Sequence, residues 1–152
     1  MNGPIKCTIR ARIGETDALG VVYYGNVFSY FEVARFEFLK ALGFKEKELR
    51  TFFLNTYVLD ARCIFESPIR ALDEIEVETT LSELGQKTFK LRYLVSRKGS
   101  QEEVAKGYTV GIFVSRNGQS IPIPRWFLDK IGRLNKHPRR PSRRMAQRRG
   151  RS

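Results

Sequence analysis

The chain has 152 residues, 41% of them hydrophobic and 12% aromatic, so it can bury one core without disulfide bonds. No apolar run approaches the ~20 residues of a membrane-spanning helix, and the first residues lack the apolar segment of a secretion signal. Cys7 and Cys63 are too few and too far apart for a disulfide framework or a zinc site. We therefore expect a cytoplasmic protein.

The net charge of +12 is concentrated at the C-terminus. Residues 133–152 contain nine Lys and Arg and no Asp or Glu, whereas residues 1–132 carry only +3. The basic segment has too few apolar residues to offset the entropy lost on ordering. We predict one folded domain over residues 1–132 and a disordered basic tail over residues 133–152.

The first half of the chain predicts a strand, a loop and a long helix. Apolar and polar residues alternate over residues 5–12, and a glycine-rich loop follows over residues 14–25. Asn26 is expected to cap a helix that ends at Leu42, before Gly43. Apolar residues recur along this helix at intervals of three and four, namely at Val27, Phe31, Ala34, Phe38 and Leu42. Further aromatic residues widen that stripe, so other structure should wrap around the helix.

Downstream, the hydrophobic period changes to two, which predicts strands. A short helix or irregular connection over residues 45–54 comes first, and Pro124 opens a short C-terminal helix. Between them lie four strands that we expect to form an antiparallel meander, near residues 57–66, 74–81, 89–95 and 104–114. This order predicts an α+β fold in which a curved antiparallel sheet wraps around one long central helix. An exposed edge strand of such a sheet would pair with another subunit.

Several kinds of catalytic site are excluded by missing residues. The only histidine, His137, lies in the basic tail, so the domain has no base for a Ser-His-Asp or Cys-His mechanism. The sequence has no nucleophile elbow, phosphate-binding glycine loop or cluster of metal ligands. We therefore expect no metal, and catalysis would depend on carboxylates, backbone dipoles and bound water.

The glycine-rich loop is the best candidate for a site. Glu15 and Asp17 lie just before the long helix, whose first N–H groups are free and could polarise a carbonyl oxygen. A carboxylate opposite them could attack that carbonyl or activate water. The alternative is that Asp17 only organises an Asx turn and Glu15 is a solvated loop charge.

Two short motifs in this region resemble the signature of the 4-hydroxybenzoyl-CoA thioesterase family, a branch of the hotdog fold. That signature reads approximately T-D-x-x-G-x-V-Y and then F-E-x-A-R. The matching residues are Thr16, Asp17, Gly20, Val22 and Tyr23 in the first motif, and Phe31, Glu32, Ala34 and Arg35 in the second. Weaker similarity extends the resemblance to about residues 5–130. The resemblance implies a hotdog fold.

The resemblance also implies a reaction and its site. It makes Asp17 the catalytic residue and assigns substrate binding to backbone N–H groups near Tyr24 and Gly25. The reaction would hydrolyse an acyl- or aroyl-CoA thioester, or that of an acyl carrier protein, with coenzyme A as part of the substrate and no separate cofactor. A neighbouring subunit would complete the site, in a homodimer or homotetramer. Ile13 and Tyr24 stand where many members have tyrosine and histidine, which leaves the substrate open.

Glu32 and Arg35 lie about one helical turn apart and have two interpretations. They could line the acyl pocket, or they could form a buried or interfacial ion pair that fixes the helix. We favour the ion pair.

The basic tail leaves a second function open. It could bind nucleic acid, an acidic membrane surface or an acidic partner such as acyl carrier protein, or serve only as a solubilising extension. The alternative to an enzyme is therefore a non-catalytic hotdog module that binds acyl-CoA, with nucleic acid or an acidic partner held by the tail.

Overall fold

Five strands and three α-helices make up the computed structural model, which describes residues 4–132. Their bounds in chain order are β1 (Ile5–Arg10), α1 (Tyr24–Ala41), α2 (Glu46–Leu54), β2 (Thr56–Phe65), β3 (Glu74–Leu84), β4 (Thr88–Arg97), β5 (Glu103–Phe113) and α3 (Arg125–Ile131). A 3-10 turn at Ile13–Glu15 follows β1. The predicted α+β class is confirmed, and each predicted helix and strand is present.

The strands pair in the order β1-β3-β4-β5-β2, all antiparallel. Only β3, β4 and β5 form a meander, because β2 pairs with β5 and lies at the opposite edge from β1. The predicted four-strand meander was therefore wrong for β2. A period of two shows which residues share a face of a strand, but it does not identify the neighbouring strand.

Helix α1 lies against one face of the sheet and supplies much of the core. Phe31 is fully buried, and its ring stacks on Tyr93 of β4 with centroids 4.3 Å apart. Burial of such a side chain stabilises a fold by about 1.5–3 kcal/mol. A Cβ atom at Gly107 would lie 3.0 Å from the Phe31 ring and 2.0 Å from the carbonyl oxygen of Arg62. Glycine at this position of β5 therefore allows helix and sheet to approach closely.

The sequence predicted the C-terminal end of α1 correctly and its N-terminal end incorrectly. At the C-terminal end, Gly43 has φ +88° and donates its N–H to the carbonyl of Lys40, while Phe44 donates to Leu39. This is a Schellman motif, and it confirms the predicted termination at Gly43. At the N-terminal end the predicted cap was wrong, because α1 begins at Tyr24 and Asn26 lies within its first turn.

Beyond Gly43, aromatic rings from several elements form one cluster. Its members are Phe44, Phe52, Phe89, Phe113, Trp126 and Phe127, and the ring centroids that contact one another lie 5.1–6.2 Å apart. Lys130 closes this end, because its Nζ donates to the carbonyl of Gly43 at 2.7 Å and to Glu48 at 2.6 Å. Helix α3 is thereby fixed beside the end of α1.

None of the helices between residues 4 and 132 is both long enough and apolar enough to cross a membrane. The predicted basic tail, residues 133–152, lies outside the described residues. Its disorder and the domain boundary at residue 132 therefore stay predictions.

Candidate active site

The loop before α1 forms one wall of a cavity of about 370 Å³. The loop folds back on itself through a β-bridge between Thr16 and Val22. It is joined to the segment after β2 by the N–H of Val22, which donates to the carbonyl of Ile69 at 2.7 Å. The residues that line the cavity are Asp17, Val21, Val22, Tyr24, Val27, Phe65, Glu66, Ser67, Pro68 and Ile69. The cavity falls within the size range of small-molecule sites.

Asp17 lies exposed on this cavity and organises its own loop. Its Oδ1 accepts the N–H of Leu19 at 2.8 Å and that of Val21 at 3.4 Å. The Asx turn considered as an alternative is therefore present. It occupies one carboxylate oxygen only, and Oδ2 accepts no hydrogen bond from the part of the chain that the structure describes. The turn thus fixes the carboxylate and leaves one of its oxygens available.

The N-terminus of α1 lies at the same cavity, because Tyr24 is both its first residue and part of the cavity wall. Tyr24 and Gly25 occupy the first two helical positions, whose N–H groups have no carbonyl partner within a helix. The N–H groups on either side are bonded, that of Tyr23 to Glu15 and that of Asn26 to Tyr23. The positive end of the helix dipole lies at the same point. Tyr24 lines the cavity together with Asp17, and Gly25 is the next residue along the helix.

Glu15 is not a solvated loop charge, so that interpretation was wrong. Its Oε1 accepts the N–H of Arg12 at 2.7 Å and the hydroxyl of Tyr30 at 3.0 Å. Its carbonyl accepts the N–H of Tyr23 at 2.9 Å and the side-chain amide of Asn26 at 2.8 Å. Sequence reasoning missed both Asn26 and Tyr30 as partners of the loop. The available signal was their spacing of four residues, which places both on one side of α1.

Glu32 and Arg35 do not form the predicted ion pair. Glu32 is exposed to solvent, whereas the Arg35 guanidinium lies 5.8 Å from the ring centroid of Phe53 in α2. Arg35 turns toward this ring, so the two charges separate. Neither residue lines the cavity beside Asp17.

Within residues 4–132, no group of three or more His, Cys, Asp and Glu side chains is arranged to hold a metal ion. The wall of the cavity carries two carboxyl groups, those of Asp17 and Glu66, and the Glu66 carboxylate is paired with Lys106 at 3.0 Å.

Comparison with known proteins identifies the family. The sequence pattern of the thioesterase-like superfamily matches residues 11–131 of this chain. A putative esterase of Aquifex aeolicus is 38% identical over 122 residues, which cover 80% of this chain and 93% of that protein. A 1,4-dihydroxy-2-naphthoyl-CoA hydrolase of Synechococcus elongatus is 30% identical over 119 residues, which cover 74% of this chain and 84% of the hydrolase.

A solved structure agrees with these sequence matches. The DHNA-CoA thioesterase of Staphylococcus aureus superposes with a TM-score of 0.77 at 26% identity, covering 87% of this chain and 93% of that one. The resemblance to the thioesterase family that the loop motif and the helix motif indicated is therefore confirmed. The chain belongs to the thioesterase-like superfamily, and its sheet around a long central helix is the hotdog fold.

Proposed function

We propose that the protein hydrolyses acyl- or aroyl-CoA thioesters to a free acid and a thiol, with Asp17 as the catalytic carboxylate. The observation that carries the proposal is the shared cavity of Asp17 and Tyr24. There a carboxylate with one free oxygen and the open N-terminus of α1 can act on one carbonyl group. No cofactor is required in this proposal, because coenzyme A arrives as part of the substrate.

The proposed substrate class is supported by the relatives and by the cavity wall. The Synechococcus relative is named for the hydrolysis of 1,4-dihydroxy-2-naphthoyl-CoA, an aroyl thioester. Most residues that line this cavity are apolar, among them Val21, Val27, Phe65 and Ile69, and such a lining suits an acyl or aroyl group. A carrier-protein thioester would present the same reacting group, so we include it among the substrates to test.

In the proposed reaction, the carbonyl oxygen of the thioester accepts hydrogen bonds from the N–H groups of Tyr24 and Gly25. These donors stabilise the negative charge that develops on the oxygen when the carbon is attacked. Asp17 either attacks the carbonyl carbon itself, forming an anhydride that water then cleaves, or takes a proton from an attacking water. In both routes the C–S bond breaks and the thiolate leaves and acquires a proton.

We further propose that a second subunit completes the site, in a homodimer or homotetramer. The edge strand β2 exposes apolar side chains, among them Val58 and Leu59. Near the cavity, Leu19 is 82% exposed and Phe65 is 48% exposed. An apolar edge of this kind is a template for pairing with another chain. Light scattering should therefore report a dimer or a tetramer. A monomer that turns over thioesters at the same concentration would contradict this proposal.

The catalytic proposal is tested with Asp17→Asn. The amide oxygen of asparagine can still accept the N–H groups of Leu19 and Val21, so the turn is retained and the negative charge is lost. We expect kcat to fall by ~100-fold or more, because a positioned base or nucleophile contributes about that much. The measurement is thiol release over a panel of aliphatic acyl-CoAs, aroyl-CoAs and acyl carrier protein thioesters.

Asp129→Asn is the matched control, because Asp129 lies exposed on α3 and its side chain bonds to no other residue that the structure describes. It should keep wild-type turnover. Equal activity of Asp17→Asn and wild type would overturn the role of Asp17. If the wild-type protein hydrolysed no thioester but still bound acyl-CoA, the non-catalytic module would replace the enzyme.

A further inference from the structure

The hydroxyl group of Tyr30 is a buried polar group in α1 that the proposed reaction does not use. Tyr30 is only 2% exposed, and its hydroxyl donates to Oε1 of Glu15 at 3.0 Å. Hydrogen bonds that a carboxylate accepts are stronger than those between neutral groups. This bond therefore joins the core of the domain to the loop that carries Asp17.

Glu15 connects that loop to α1 through both its side chain and its main chain. The side chain is held by Tyr30 and by the N–H of Arg12, and the carbonyl is held by Tyr23 and Asn26. Asp17 follows only two residues later. The same Glu15 carbonyl that binds Asn26 also takes up the N–H of Tyr23, immediately before the free donors of the helix. A shift of Glu15 would therefore change the spacing between Asp17 and those donors.

We propose that Tyr30 is a positioning residue, whose hydroxyl holds Glu15 and thereby sets the Asp17 carboxylate against the N–H groups of Tyr24 and Gly25. This inference rests on the proposed thioesterase function. Misplacement of a reacting group by about 1 Å can cost ~100-fold in rate, so a remote hydroxyl can act through geometry alone.

The ionisation of Tyr30 is consistent with a permanent donor. Burial, followed by the hydrogen bond and the negative charge of Glu15, raises the pKa of the Tyr30 hydroxyl well above its ordinary value. The hydroxyl therefore stays protonated and continues to donate to Glu15 at neutral and mildly alkaline pH.

Tyr30→Phe tests the inference because it removes the hydroxyl and keeps the buried ring. We expect kcat to fall ~10-fold or more while KM changes less than about 2-fold, since the cavity wall is untouched. The assay uses the CoA thioester that the wild-type protein hydrolyses fastest. Tyr93→Phe is the matched control, because Tyr93 is also 2% exposed and its hydroxyl bonds to Thr109 at 2.8 Å, away from the loop of Asp17. Both variants should lose some thermal stability, but Tyr93→Phe should keep the wild-type kcat.

Two further measurements separate positioning from a general loss of structure. Glu15→Gln keeps an oxygen that accepts the Tyr30 hydroxyl, so it should retain more activity than Glu15→Ala. In the Asp17→Asn background, Tyr30→Phe should cause no further loss of the residual rate, because the group that it positions is already absent.

Three results would overturn the inference: a wild-type kcat in Tyr30→Phe, equal losses in Glu15→Gln and Glu15→Ala, or a full further loss from Tyr30→Phe in the Asp17→Asn protein. Failure of the proposed function has a different signature, namely undiminished turnover by Asp17→Asn itself. If Asp17→Asn is inactive while Tyr30→Phe is normal, only the positioning role of Tyr30 fails.

Discussion

The two ends of α1 are built in opposite ways. At the C-terminal end, the carbonyls of Leu39 and Lys40 are bonded in the Schellman motif, and the aromatic cluster packs beyond it. At the N-terminal end, the N–H groups of Tyr24 and Gly25 have no helical partner, and the ring of Tyr24 is 62% exposed. We call the C-terminal end the closed end, because the chain itself bonds its carbonyl groups, and the N-terminal end the open end, because its N–H groups are free of helical partners.

The contacts that stabilise this fold are therefore concentrated at the C-terminal end of α1, and its reactive groups lie at the N-terminal end. Each aromatic ring that is buried at the closed end contributes to the free energy of unfolding. At the open end, the free N–H groups and the second oxygen of the Asp17 carboxylate add little to the fold, but they match a developing oxyanion and a nucleophile or base. Sites at which a chain breaks the rules of stable packing are expected to be functional sites.

The largest expected effect that tests this division is on stability. Phe127 of α3 is 1% exposed and contacts the rings of Phe44, Phe52, Phe89 and Phe113. Phe127→Ala should lower the free energy of unfolding by about 3–5 kcal/mol, because it removes a large buried ring and leaves a cavity. Urea unfolding measures the change. The kcat of the folded fraction should stay near the wild-type value.

Tyr30→Phe should show the reverse pattern, with a large loss of kcat and a smaller loss of stability. The comparison between the two ends would fail if Phe127→Ala reduced kcat in the folded fraction as strongly as Tyr30→Phe does.

The sequence predicted the closed end of α1 more accurately than the open end. Gly43 has a strong local signal, because a left-handed residue after a helical stripe strongly favours glycine. Asn26 has the same kind of signal for a helix start, but tertiary structure overrides it: its amide binds the carbonyl of Glu15, and the helix begins two residues earlier. The position of Asp17 next to the helix entrance could be predicted, because loop and helix are adjacent in sequence.

The contacts that hold the site were not predictable in the same way. The bond between Tyr30 and Glu15 joins a helix to a loop 15 residues away, and Tyr30 otherwise reads as one more aromatic core residue. The position of β2 beside β5 also depends on long-range pairing, and its residues have the same alternation whichever strand they join. Local patterns determine which residues share a face and where an element ends. Which strand or loop an element contacts depends on the whole fold.

The smallest expected effect concerns the ionic contact that closes the aromatic end. The hydrogen bond from Lys130, then that from the N–H of Lys45, holds the pKa of Glu48 below its ordinary value in the folded protein. A carboxyl group with a lowered pKa adds stability above its unfolded pKa, and this contribution is lost as the pH falls through the folded pKa. Glu48→Gln should therefore cost at most about 1 kcal/mol of unfolding free energy at pH 7, because the pair is partly exposed.

This cost should begin to shrink once the pH falls below the ordinary glutamate pKa of about 4.3, and it should vanish below the lowered folded pKa, where the wild-type carboxyl group is also uncharged. Urea unfolding of both proteins at pH 7 and pH 3 measures it, with Glu46→Gln as the control, because Glu46 pairs with Arg50 on the open surface of the same helical turn. An equal difference at both pH values would show that the charge of Glu48 is not what closes this end. Because Glu48 lies at the closed end, Glu48→Gln should leave the pH dependence of kcat unchanged, so ionisation there affects stability alone.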